Sequence, residues 1–151
     1  MTERRSGRAP ALVVAEPPAV YLARAPMVVD CTVLSAVLFE EVMRDDAMRR
    51  LAGRALHAPT LIDHEMASVA LKKKRLGWPA ESIAAALADY STHALQLHRI
   101  DVSAQLALAE RYTLSAYDAA YLALAAALKA PLATFDRKLG AAATRHLGSL
   151  D

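Results

Sequence analysis

The sequence predicts an α/β fold, a parallel sheet covered by helices. Three observations predict it. Short apolar runs, such as Val28-Val29 and Leu132-Ala133-Thr134-Phe135, alternate along the chain with longer stretches of helical periodicity, the pattern of a parallel sheet with helical crossovers. Alanine recurs at helical spacing, which suits helices packed closely on something flat. At 151 residues the chain is one domain, large enough to bury a proper core.

Residues 1–26 carry Pro10, Pro17, Pro18 and Pro26 with arginines between them, the composition of a flexible N-terminal arm. They read as a dispensable tail, since Met27 opens the patterned region, which forms one domain over residues 27–151. Val28-Val29 is β-branched and short, as in a buried parallel strand. Thr32 to Phe39 follows as a helix, with Val33, Val37 and Leu34, Leu38 four residues apart. A second helical piece ends near Gly53, and Leu56-His57-Ala58, closed by Pro59, is a second strand. Thr60-Leu61-Ile62-Asp63 resembles a capping box and starts a helix that Gly77 ends and Pro79 forbids from continuing. A further helix spans about Pro79 to His93, and Leu95 to Ile100 is a third strand. Ser103 opens a helix to Tyr112, and Ser115-Ala116-Tyr117-Asp118 heads another to Lys129. A fourth strand, Leu132 to Phe135, ends at Asp136. A short helix around Lys138–Ala142 and a last strand near His146–Ser149 complete the reading.

Composition excludes several functions. The net charge of +2 lies wholly in the first 26 residues, where Arg4, Arg5, Arg8 and Arg24 outnumber Glu3 and Glu16. The remainder is neutral, so it is no broadly basic nucleic-acid binder. Cys31 is the only cysteine, which rules out an intrachain disulfide and suits a reducing interior; it reads as a small buried hydrophobe. No apolar run approaches the roughly 18 residues of a membrane span, and Glu16-Pro17-Pro18 spoils a signal peptide. A cytoplasmic protein without membrane contact is the expectation. His64-Glu65 begins like a zinc protease helix, but Ser68 stands where the second histidine belongs. Neither a phosphate-cradling glycine loop nor a Gly-x-Ser-x-Gly elbow occurs.

Four acids draw the functional reading: Asp30, Glu65, Asp118 and Asp136. Each has a structural explanation. Asp30 and Asp136 suit helix N-caps, Asp118 closes its capping box, and Glu65 sits early in a helix, where the macrodipole favours negative charge. Their joint placement goes further. Asp30 and Asp136 follow strands, while Asp118 and Glu65 lie in the first turns of helices, and strand carboxyl ends and helix amino ends share one edge of a doubly wound sheet. Clustered carboxylates without basic partners repel one another, and a hard divalent cation removes that penalty. A site of this kind suits phosphodiester hydrolysis, with one ion activating water and a second stabilising the leaving oxygen.

Four motifs carry a family resemblance: Val28-Val29-Asp30-x-Thr32-x-x-x-Ala36; Glu65 in the Asp63–Ala70 helix; Leu114-Ser115-x-Tyr117-Asp118-Ala119-x-Tyr121-Leu122-Ala123-x-Ala125; and Ala133-Thr134-x-Asp136-x-x-Leu139. Together they resemble the PIN-domain nucleases, above all the VapC-type toxins of bacterial toxin–antitoxin pairs, over residues 27 to about 150. The resemblance implies a three-layer α/β/α sandwich with a mostly parallel, twisted sheet, and Mg²⁺- or Mn²⁺-dependent endoribonuclease activity. Asp30, Glu65, Asp118 and Asp136 would form the metal site, Asp30 and Asp118 as direct ligands. Thr134 would stand at the family's hydroxyl position, and Thr32 would be an accessory hydrogen-bonding residue. RNA as substrate, a cognate antitoxin and a homodimer are the implied partners. Arg137 and Lys138, beside Asp136, are placed to meet substrate or an antitoxin tail, whereas Lys72-Lys73-Lys74-Arg75 reads first as a solvated helix end. The alternatives are a non-catalytic doubly wound binding or signalling module, such as a phospho-accepting receiver, and a silent scaffold acting through protein contacts. A receiver would want a lysine at a strand end, and Lys129 lies at a helix end instead.

Overall fold

A computed structural model describes residues 24–151 together with the isolated positions 13 and 15. The arm expected over residues 1–26 falls almost wholly outside the described residues. The elements, in chain order, are β1 (Pro26–Val29), α1 (Cys31–Leu38), α2 (Arg44–Leu51), β2 (Ala55–Pro59), α3 (Leu61–Arg75), α4 (Ala80–Thr92), β3 (Gln96–His98), α5 (Val102–Tyr112), α6 (Ala116–Leu128), β4 (Leu132–Ala133) and α7 (Arg137–Leu147). The strands form one sheet in the order β3-β2-β1-β4, and every pairing is parallel. Met27 lies opposite Leu56, Val29 opposite Ala133, and Ala58 opposite Leu97.

The α/β class read from the sequence is the class observed. Helix α6 packs on β1, β2 and β4 and is flanked by α5 and α7. Its small side chains allow this: Ala119 through Ala125 are all buried, so the helix lies close against the pleated surface. Helices α1 to α4 contact one another, and α3 reaches β2. The core between the layers holds Val28, Val29, Leu34, Ile62, Met66, Leu122 and Leu139, each at most 1% exposed. Trp78 packs at a helix junction, edge-on to Phe39 at 5.7 Å. Lys73 leaves the solvated lysine run, lying over both rings and pairing with Glu41 at 3.4 Å. No helix among the described residues is long and apolar enough to cross a membrane.

Several local expectations are corrected. The strand expected near His146–Ser149 does not form; α7 runs on to Leu147, burying Leu139, Ala142 and Ala143 on one helical face. The fourth strand is only two residues long, because Thr134 and Phe135 turn toward the α7 cap. Thr60 makes no capping bond at α3; the nearby Asp63 carboxylate accepts from Tyr90 at 2.5 Å instead. Asp101, not Ser103, caps α5, accepting from the Ala104 amide at 2.7 Å. Gly77 does follow the α3 end, at φ +88°, in the left-handed region that costs glycine least.

Candidate active site

The sheet winds outward from β1 through β2 to β3, then returns to add β4 on the other side of β1. The switch point therefore lies between β1 and β4. Loops leaving their carboxyl ends diverge, and such folds bind ligands in the crevice between them. Asp30 terminates β1, and Thr134 and Asp136 follow β4.

Two threonines tie these strand ends together. Thr134 Oγ1 donates to Asp30 Oδ2 at 2.5 Å and accepts from the Asp136 amide at 2.9 Å. Thr32 Oγ1 donates to Asp30 Oδ1 at 2.6 Å and accepts from the Phe135 amide at 3.0 Å. Each hydroxyl thus works in both directions across the crevice. Both strand-end acids also cap the helices that follow them: Asp30 Oδ1 accepts from the Val33 amide at 3.2 Å, and Asp136 Oδ1 from the Leu139 amide at 2.7 Å. The capping explanation is correct for these two acids, and it occupies one oxygen of each.

Glu65 and Asp118 come from helices. Ser115 caps α6 by accepting from the Asp118 amide at 3.1 Å, which seats Asp118 in the first turn. Glu65, half-buried on α3, accepts at Oε1 from the Tyr121 hydroxyl at 2.6 Å. Tyr121 is 1% exposed, so a phenol from the core of α6 holds a carboxylate on α3. The sequence offered no signal for that role. Tyr121 stands in the third motif among residues that simply pack, and only the fold shows that its hydroxyl crosses between the layers.

Electrostatics links the four acids. Asp30 is 4% exposed, and burial pushes its carboxyl above the ordinary range, with the Asp118 charge adding to the rise against the threonine bonds. Burial raises Glu65 too, with the charges of Asp30 and Asp118 reinforcing it against the Tyr121 bond. Asp118 is raised by burial and then by Asp136, while the Ser115 hydroxyl and Lys138 pull it down. Sequence-distant acids therefore feel one another at one rim. The ion pairs among the described residues join Arg49 and Arg50 to Asp46 and Lys73 to Glu41, and none touches the rim. Cys31, beside Asp30, is buried with its thiol pushed up to about 12 by burial and neighbouring acids, as befits a packing residue.

The donor set is all oxygen, the chemistry that Mg²⁺ and Mn²⁺ accept. Among the described residues no three carboxylate, imidazole or thiol groups are grouped closely enough to share one ion. The four predicted acids therefore do not close a protein cage around one ion among the described residues. A Mg²⁺ site needs no such cage, since one or two carboxylates usually hold that ion and waters and phosphate complete it.

A family model described as the PIN domain matches residues 27–144. The chain belongs to the PIN domain family. Two solved structures share the fold of this PIN domain. PAE2754 from Pyrobaculum aerophilum is 22% identical over 78% of this chain and 79% of that one, with a TM-score of 0.59. VapC20 (Rv2549c) of Mycobacterium tuberculosis, a toxin that cleaves the sarcin–ricin loop, is 15% identical over 77% of this chain and 94% of that one, with a TM-score of 0.57. No curated protein matches the chain significantly.

Proposed function

We propose that this PIN domain is a Mg²⁺- or Mn²⁺-dependent endoribonuclease, the toxin of a VapC-type toxin–antitoxin pair. The observation that carries the reading is the placement of Asp30: a buried carboxylate at the switch point, without a cationic partner among the described residues, raised in pKa together with Glu65 and Asp118. A protein does not keep such a group charged cheaply, and a divalent cation is the natural compensation. The similarity to a sarcin–ricin-loop-cleaving toxin supports RNA as the substrate class.

Asp30 and Asp118 are the direct ligands in this reading, and Glu65 and Asp136 act through water or a second ion. When bound, the ion supplies a polarised phosphate and a water acidic enough to attack it. Thr134 orients the Asp30 carboxylate in this reading, its hydroxyl bridging Asp30 Oδ2 and the Asp136 amide, and water rather than this hydroxyl is the nucleophile. Thr32 fixes the other oxygen. Lys138, whose charge reaches Asp118, and the neighbouring Arg137 are placed to receive substrate phosphate. An antitoxin that blocks the rim, a homodimer and a cytoplasmic location complete the proposal.

The test is RNA cleavage that requires Mn²⁺ or Mg²⁺, stops in chelator and disappears in Asp30→Asn and Asp118→Asn. Expression without a partner protein should arrest growth. A second reading, a protein-contact scaffold without catalysis, draws on the absence of any closed three-ligand group among the described residues. Folded protein that cleaves no RNA with metal present would favour it.

A further inference from the structure

Beside the acid rim lies an open cleft of about 560 Å³. Helix α3 forms one wall. Leu61, Glu65 and Val69 make one stripe along it, and His64 and Ser68, four residues apart, make the next. Cys31, Thr32 and Ser35 of α1 line the opposite side, and Tyr117 of α6 stands at the mouth. Tyr117 is 67% exposed. It directly precedes Asp118 in the chain, so its ring is tethered to a proposed metal ligand.

No lysine or arginine among the described residues lines this cleft, so these walls are not built for phosphate. Its one charged acid, Glu65, disfavours an anion further. The walls are mostly apolar, with an aromatic ring, an imidazole and hydroxyls from two helices. That combination fits a neutral, planar, hydrogen-bonding ligand. We propose that the cleft holds one unpaired nucleobase of the RNA substrate, stacked on Tyr117 and read by His64 and Ser68. The inference rests on the ribonuclease reading and deepens it. The backbone phosphate next to that base then lies over the acids, because Glu65 belongs to both the cleft and the rim. A paired base has its edge occupied and its faces covered by neighbours, so the cleft selects single-stranded or flipped-out nucleotides. The i, i+4 pair His64 and Ser68, which ruled out a zinc protease helix, acquires a role as a reading edge.

The probe is a single-stranded RNA carrying 2-aminopurine, bound in Ca²⁺, whose looser coordination supports binding while activating water poorly, so that the RNA stays intact. With wild-type protein its fluorescence should be quenched on binding. Tyr117→Ala should lose the quench and weaken binding roughly five- to hundredfold, the range for one aromatic stacking partner, while Tyr117→Phe should keep both. On cleavable RNA, Tyr117→Ala should act mainly through KM. His64→Ala should change the preference among the four homopolymers more than the overall rate. Tyr117 is exposed, so the variants should melt like the wild type. Wild-type affinity and cleavage in Tyr117→Ala would overturn the cleft proposal and leave the nuclease reading standing. Tyr117-dependent quenching by a protein that cleaves nothing would keep the cleft and remove the nuclease. Should Tyr117→Ala instead release a co-purifying protein while holding RNA normally, the cleft belongs to a protein contact and the proposal fails.

Discussion

The two pairs of acids at the rim are held in different ways. Asp30 and Asp136 follow strands, cap the next helices, and are stitched across the crevice by Thr32 and Thr134. Their positions are fixed by backbone and hydroxyl bonds at the switch point. Glu65 and Asp118 ride on helices, and their placement depends on how α3 and α6 pack. Their bonds are single and come from side chains, Tyr121 for Glu65 and Ser115 at the start of α6. The contrast teaches that one half of the site is as rigid as the sheet, while the other half can adjust as the layers settle.

The largest expected effect lies in the ligands assigned to each half. Asp30→Asn and Asp118→Asn should each lower RNA cleavage at least about a hundredfold, the scale for losing one preorganised electrostatic partner, with the fold intact by circular dichroism. If Asp118→Asn left activity near wild type, the helix-borne half would not belong to the site.

Thr134→Val comes next. It removes the hydroxyl from Asp30 Oδ2 and the acceptor from the Asp136 amide together, striking the rigid half at its joint. Metal affinity, followed by Mn²⁺ titration, should fall roughly ten- to hundredfold, as for outer-sphere partners of metal ligands. Thr134→Ser should restore most of it. Equal loss in the serine variant would mean the methyl packing matters rather than the hydroxyl.

Tyr121→Phe tests the adjustable half and should do less. Glu65 can still reach solvent, so we expect a loss below about tenfold in metal affinity and about 1 kcal/mol or less in stability. A larger effect than Thr134→Val would reverse the ranking of the two halves.

The smallest effect concerns pH without metal. Burial and like charges raise Asp30, Glu65 and Asp118 above their unfolded values. Groups raised in the folded state contribute stability that is full below the ordinary carboxylate range, around 4, and is lost as pH rises through their higher folded values. Metal-free protein should therefore lose part of its stability between that range and neutrality. Asp30→Asn should flatten this slope, and Mn²⁺ should recover the loss at neutral pH by binding the native state. A wild-type thermal melt equally pH-dependent in Asp30→Asn would assign the slope to other groups.

Much of this arrangement was legible in the sequence, because its causes are local. A β-branched pair running into Asp30, and Leu132-Ala133 running toward Asp136, state where strands stop and helices begin. Alanines in α6 state that something flat lies beneath them. What stayed hidden depends on partners far along the chain. Thr60-x-x-Asp63 has the local form of a cap, but Tyr90 of α4 competes for the Asp63 carboxylate. The residues around His146 have no strand partner, and α7 absorbs them by continuing its buried face. The Tyr121 bond to Glu65 is invisible to any local pattern, since it spans 56 positions and two layers.

The thread joining Thr134 to Asp30 crosses 104 positions, and β4 is the final strand of the sheet. Until translation has passed that strand, Asp30 has no neighbour across the crevice and α7 has not begun. On a chain emerging from the ribosome this rim therefore cannot assemble before Thr134 and the α7 cap have been made.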